Sequence, residues 1–195
     1  MKKTLIIILL SVLTYGSANS QSYLGFRGSF NISSLSTGSA KSRPGFSVGA
    51  MYSTHLSDYW YFQPAILYNL AGSKSINKFK PAYSAYTYNL EVPLILSRRF
   101  GDDEISFGLD FGPFMKYGLH GGYWVDDPKT GERTRPDVFD HQKRFDVGPQ
   151  VGFSVIVYGL YIGYSFQYGM IKAWDDRRGN YYNSCMTFGY LFQVR

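Results

Sequence analysis

With 195 residues the chain has room for one domain, and a single cysteine, Cys185, excludes an internal disulfide. The aromatic fraction, 18%, is high and the charged fraction, 17%, is low, while a formal charge of +6 is too modest to point to a polyanionic partner. No stretch after residue 20 approaches the apolar length of a membrane helix.

Met1 to Ser20 has the three parts of a secretory signal: Lys2 and Lys3, the apolar run Leu5 to Leu13, and the small residues Ala18 and Ser20. Cleavage is expected before Gln21, which leaves 21–195 as the mature domain. Gln21 rather than a cysteine stands at the cleavage point, which argues against a lipoprotein anchor, and export argues against a nucleic-acid partner.

The remainder reads as strands. Tyr23 to Ile32 alternates Leu24, Phe26, Phe30 and Ile32 with Tyr23, Gly25, Arg27, Ser29 and Asn31. Ser33 to Arg43 is Ser/Gly-rich and predicts a loop. A second strand runs from about Gly45 to Thr54. After a short link near Leu56 to Asp58, a third covers about Tyr59 to Ala71, with Pro64 as a local irregularity. Gly72 to Ser84 is a second polar loop. The fourth strand, about Ala85 to Ser97, sets Tyr86, Tyr88, Leu90, Val92, Leu94 and Leu96 against Thr87, Asn89, Glu91, Pro93 and Ile95. A charged turn, Arg98 to Asp103, leads to a fifth, about Glu104 to Tyr117. Gly118 to Lys143 is the longest and most polar loop.

Arg144 to Met170 carries the strongest local signal. Phe145, Val147, Pro149, Val151, Phe153, Val155 and Val157 alternate with small or polar residues, and the pattern resumes after Tyr158-Gly159. A two-residue connection ending in Gly predicts a tight hairpin. If Val157 pairs with Leu160, then Val155 meets Ile162 and Phe153 meets Tyr164, so turn and register agree. Ile171 to Tyr181 is a fourth loop, and about Tyr182 to Val194 is the last strand, with Cys185 as a small residue on its inner face.

The expected fold is therefore all-β, with eight antiparallel strands joined by alternating long and short connections. The non-apolar face is mostly Gly, Ser and Gln rather than Lys, Glu and Thr. Small residues suit a cramped closed interior, so the apolar register is expected outside, against lipid. This predicts an up-and-down transmembrane β-barrel in a bacterial outer membrane. Its short turns and both termini are expected on the periplasmic side, its long loops outside. A soluble lipocalin-like barrel that binds a small ligand is the alternative if the apolar register faces inward.

The segments YLGFRGSFNIS, FQPAILYNLAG, YNLEVPLIL, LDFGPF, RFDVGPQVGFSV and FGYLF, in that order, resemble the PorT-type outer-membrane β-barrel domain family common in Bacteroidetes. The likeness spans the mature region, with departures at Ala65 and at the terminal Arg195. It implies a second role to weigh, as an accessory component of an outer-membrane protein secretion assembly with a protein partner.

Two residue sets are candidates for function. The inward register carries Arg27, Lys116 and Arg144 against Glu91, Asp110 and Asp146, expected to pair as a charge network in the lumen. The outer loops carry Tyr123, Trp124 and Trp174 with Lys129, Arg133, Arg135, Arg177 and Arg178. Aromatic rings beside arginines suit acidic glycans, lipid phosphates or a partner protein. Outer-membrane lipid and lipopolysaccharide are the partners this predicts. His120 and His141 flank the longest loop, but no catalytic, metal or cofactor spacing surrounds them. The expectation is a non-enzymatic membrane protein without a cofactor.

Overall fold

The computed structural model describes residues 22–36, 40–75, 83–102, 104–126, 133–134, 136–140, 142–173 and 179–194. The expected signal segment lies outside them. Eight long strands form the wall: β1 (Ser22–Leu35), β2 (Ala40–Ser57), β3 (Trp60–Ser75), β4 (Tyr83–Gly101), β5 (Ile105–Asp126), β7 (Phe145–Val157), β8 (Leu160–Tyr168) and β9 (Tyr181–Val194). A two-residue strand, β6 (Arg133–Thr134), pairs with the end of β5, and a short 3₁₀ turn, Val138–Asp140, follows it.

Each wall strand pairs antiparallel with its neighbour in the chain, and β1 pairs with β9 from Ser22↔Val194 to Leu35↔Tyr181. The sheet is thus a closed up-and-down barrel with no free edge in its wall, which is what lets strands cross a membrane with their backbone satisfied. The central hairpin has the register its sequence predicts, with Val157↔Leu160, Val155↔Ile162 and Phe153↔Tyr164. Its turn places both Tyr158 (φ 48°) and Gly159 (φ 84°) in the left-handed region, as a tight hairpin turn demands.

The apolar register faces outward on every wall strand. Phe30 is 72% exposed, and Leu24, Phe107, Phe153, Ile66 and Phe192 are likewise exposed, whereas the alternate positions Asn31, Ser97, Ser154 and Thr187 are buried. The soluble lipocalin-like alternative needs the opposite orientation, and this geometry overturns it. Aromatic residues collect at two heights. Near the long connections Tyr68 stacks on Tyr88 at 5.7 Å, and Tyr88 on His120 at 4.5 Å. Near the short turns Arg98 lies over Trp60 at 5.8 Å and over Phe100 at 5.2 Å. On β3 the two belts bound the span from Trp60 to Tyr68, close to the length a tilted strand needs to cross a bilayer.

Several strands run further than their alternation suggests. β1 and β2 continue into the Ser/Gly-rich stretch, and β3 and β4 pair up to Ser75↔Tyr83. The greatest difference is in the segment expected to be a loop from Gly118 onward, where β5 continues to Asp126. Past the lipid-facing span the in–out alternation ends, as at the consecutively buried Ser33, Ser34 and Leu35, while the backbone pairing continues.

Candidate functional site

Inward side chains fill the barrel in layers, here followed from the long connections toward the short turns. The uppermost is a cap formed by the 3₁₀ turn and the residues after it. Val138 is fully buried, and Phe139 lies against the Cα of Gly118, where no side chain has room. Arg144 covers the Phe139 ring at 4.4 Å and donates to the carbonyls of Gly118 (3.3 Å) and Leu119 (3.1 Å). Gln142 is buried and donates to the Tyr181 hydroxyl at 2.8 Å, while Lys143 N donates to Ala173 O at 3.0 Å.

Glu91 is the centre of the next layer. It is 2% exposed and accepts from Asn69 Nδ2 and, at 2.5 Å, from Gln167 Nε2. Lys116 Nζ lies 3.5 Å from Oε2, the oxygen that also accepts from Asn69. The network extends from Asn69 Oδ1 to Asn31 Nδ2 (2.9 Å) and from Gln167 Nε2 to Gln150 Oε1 (3.0 Å). With the Asn183 amide oxygen toward Lys116 Nζ at 2.8 Å, its nitrogen donates to Ser33 Oγ at 2.6 Å. Amide and ammonium groups from β1, β3, β5, β7, β8 and β9 therefore meet across the lumen around the β4 carboxylate. Such mutual satisfaction is what makes buried polar groups tolerable.

Below it lie Arg27 and Asp110. They do not form an ion pair with each other. Asp110 Oδ2 accepts from the Tyr161 hydroxyl at 3.3 Å, and Arg27 shares with Asp110, Gln63, Gln150 and Tyr161 the wall of a cavity of about 10 Å³. An apolar cluster of Met51, Ala65, Leu67, Ile156, Tyr161 and Leu191 runs along the lumen wall, with Leu67 paired directly beside Glu91. At the short-turn mouth is Arg99, which is 8% exposed, donates to Ser53 Oγ at 2.9 Å and covers the Tyr61 ring at 3.8 Å.

Of the six charged residues expected in the lumen, the structure brings Glu91 and Lys116 into an ion pair and buries Arg27 and Asp110 beneath them. Arg144 is a correction. It precedes β7, where alternation no longer sets direction, and its exposed side chain secures the cap rather than entering the network. Asp146 is partly buried and accepts from Val147 N (2.9 Å) and Ile171 N (3.2 Å), so it ties the start of β7 to the chain leaving β8. Arg99, by contrast, was expected in a turn. Continuing the inward parity Glu91, Pro93, Ile95, Ser97 by one more step reaches it.

Among the candidate loop residues, Trp124 is partly buried near the end of β5. The backbones of Tyr123 and Arg133 lie in β5 and β6, but their side chains, and all of Lys129, Arg135, Trp174, Arg177 and Arg178, lie outside the described residues. His120 is exposed and stacked on Tyr88; its suggested companion His141 also lies outside the described residues.

A family model described as the outer membrane protein beta-barrel domain matches residues 17–174. No curated protein matches the chain. Among solved structures, neisserial surface protein A is 14% identical with a TM-score of 0.48, over 90% of this chain and 99% of that one. OprG from Pseudomonas aeruginosa is 12% identical with a TM-score of 0.49, over 91% and 97%. The outer membrane enzyme PagL is 8% identical with a TM-score of 0.47, over 84% and 98%. These values carry no argument about activity.

Proposed function

This chain belongs to the outer membrane protein β-barrel domain family, and on that premise we propose a non-enzymatic barrel whose lumen is closed by its own side chains and whose long connections are its working surface. The observation that carries the reading is the Glu91-centred network. An eight-stranded barrel has an interior only wide enough for side chains, and here amides, an ammonium and a carboxylate bond across it. The apolar cluster that includes Met51, Leu67 and Leu191 adds a second, apolar obstruction. A water-filled pore has no room beside them.

The long connections then face the outside and the short turns, with both termini, face the periplasm, as is the rule for barrels of this class. The expected signal at Met1 to Ser20 supplies the route there. Structural and surface-binding roles both use a rigid wall carrying variable loops. Trp124 and the basic loop residues Arg133, Arg135, Arg177 and Arg178 suit lipopolysaccharide phosphates as their first contact. Within the family, YNLEVPLIL in β4 and RFDVGPQVGFSV in β7 support a PorT-type assignment.

Reconstitution into planar lipid bilayers tests the closed lumen. The expected record is a flat baseline with no discrete current steps. Steady single-channel openings from the folded, monomeric protein would show an open path and overturn the reading.

A further inference from the structure

We propose that the short-turn mouth of the barrel is a binding pocket for a small carboxylate carried on an apolar or aromatic body, with Arg99 as its anchor. The site lies at the opposite end from the long connections and is independent of the surface role above. It is a cavity of about 410 Å³ lined by Tyr23, Tyr59, Tyr61, Arg99, Ile156 and Leu191. That size falls within the roughly 300–1,000 Å³ of small-molecule sites, and such sites combine apolar walls with a few placed polar groups.

The wall has that composition. Ile156 and Leu191 belong to the buried apolar cluster, and Tyr23 packs against the same cluster. Arg99 reaches inward from β4 and is held in place from two sides, by the Tyr61 ring and by Ser53 Oγ. Neither neutralises it. No described carboxylate lies within 4 Å of its guanidinium, and its Nε is enclosed without an acceptor. Asp110 acts on it only from beyond ion-pair distance, so a guanidinium withdrawn from bulk water, oriented and without a direct carboxylate partner is prepared for an incoming acid, whose two oxygens match its planar fork.

The charges around Arg99 select which acid. Among the described residues, Asp58 and Asp102 stand at the rim, and Asp110 lies deeper in the lumen. Asp102 Oδ1 accepts from Glu104 N at 3.1 Å and Ile105 N at 2.8 Å, which fixes it in its own turn. His55 Nε2 lies 3.3 Å from the carbonyl of Asp58. One deep guanidinium behind two rim acids favours a monoanion and disfavours a dianion such as phosphate. The tyrosines supply ring faces for the body of the ligand.

The test uses the full mature barrel refolded in phospholipid nanodiscs and titrated with 4-fluorophenylacetate, followed by fluorine NMR. The expected result is saturable binding, at least roughly 10-fold weaker for 4-fluorophenylacetamide and undisturbed by inorganic phosphate. Arg99→Gln is expected to weaken carboxylate binding roughly 10- to 100-fold, while Arg98→Gln, on the outer face over Trp60, leaves it unchanged. If Arg99→Gln does not fold, the comparison of acid with amide on the unaltered protein decides alone. Absence of saturable binding, equal affinity for acid and amide, displacement by phosphate, or undiminished binding to a folded Arg99→Gln barrel would each overturn the proposal.

Discussion

Glu91 sits where a carboxylate is costly unless every oxygen is engaged, and its partners come from strands far apart in the chain. Replacing it with Ala leaves the Lys116 ammonium buried and uncompensated and removes the acceptor shared by Asn69 and Gln167. Breaking a buried pair from one side costs about 3–5 kcal/mol, whereas removing both charges costs less. The expected stability order is therefore wild type, then Glu91→Met with Lys116→Met, then Glu91→Ala. The midpoint of urea unfolding in micelles, read by gel mobility, checks it. Equal midpoints for the single and double variants would show that the pair is not what the network depends on. At this scale alternation was informative inside the strands: it turned Arg27, Glu91, Asp110 and Lys116 inward. It was silent on Arg144, one residue before β7, and a cluster of charges from Arg98 to Asp103 disguised Arg99 as a turn residue. The contact from Gln167 to Glu91 joins positions 76 apart. Which inward residues meet across a barrel depends on the stagger of its strands, and no local pattern carries that.

The elements were legible where one face meets lipid and the other a crowded interior. β7 and β8 are the clearest case, because turn chemistry at Tyr158-Gly159 and the pairing of like residues impose the same register. The ends facing the long connections were not, since polar Ser/Gly sequence reads as loop whether or not it pairs. The cap is a consequence of the same extension. It rests on β5 beyond the membrane, and it fits only because Gly118 and Gly121 have no side chains beneath Phe139 and Val138. Gly118→Val is expected to lift the cap without disturbing the layer below, since Glu91 and Lys116 hold each other independently of Phe139. Hydrogen exchange is expected to show faster exchange at Val138 to Asp140 and near Lys143, whose N–H is bonded to Ala173 O, with β4 and β5 protection retained. Unchanged exchange in that segment would mean that the glycine is not what seats it.

For the molecule as a whole, the decisive fact is which side of the sheet is apolar. Phe26, Phe30, Ile66, Leu109, Phe153 and Phe188 stand exposed across β1, β3, β5, β7 and β9 of one closed surface, an apolar area far beyond what a soluble monomer leaves in water. The belts at Tyr68–Tyr88 and Trp60–Arg98 bound that surface at the two heights expected of membrane interfaces. Everything assigned to the lumen, cap and mouth follows from this orientation. It is tested most directly by nitroxide labels placed one at a time along β7 in a Cys185→Ser background, in phospholipid vesicles. Collision with molecular oxygen, which concentrates in lipid, is expected to be high at Phe153, Val155 and Val157 and low at Ser154 and Ile156, a period of two in step with the outward register. The reverse phase, or no periodicity in a barrel that is otherwise folded, would contradict the account.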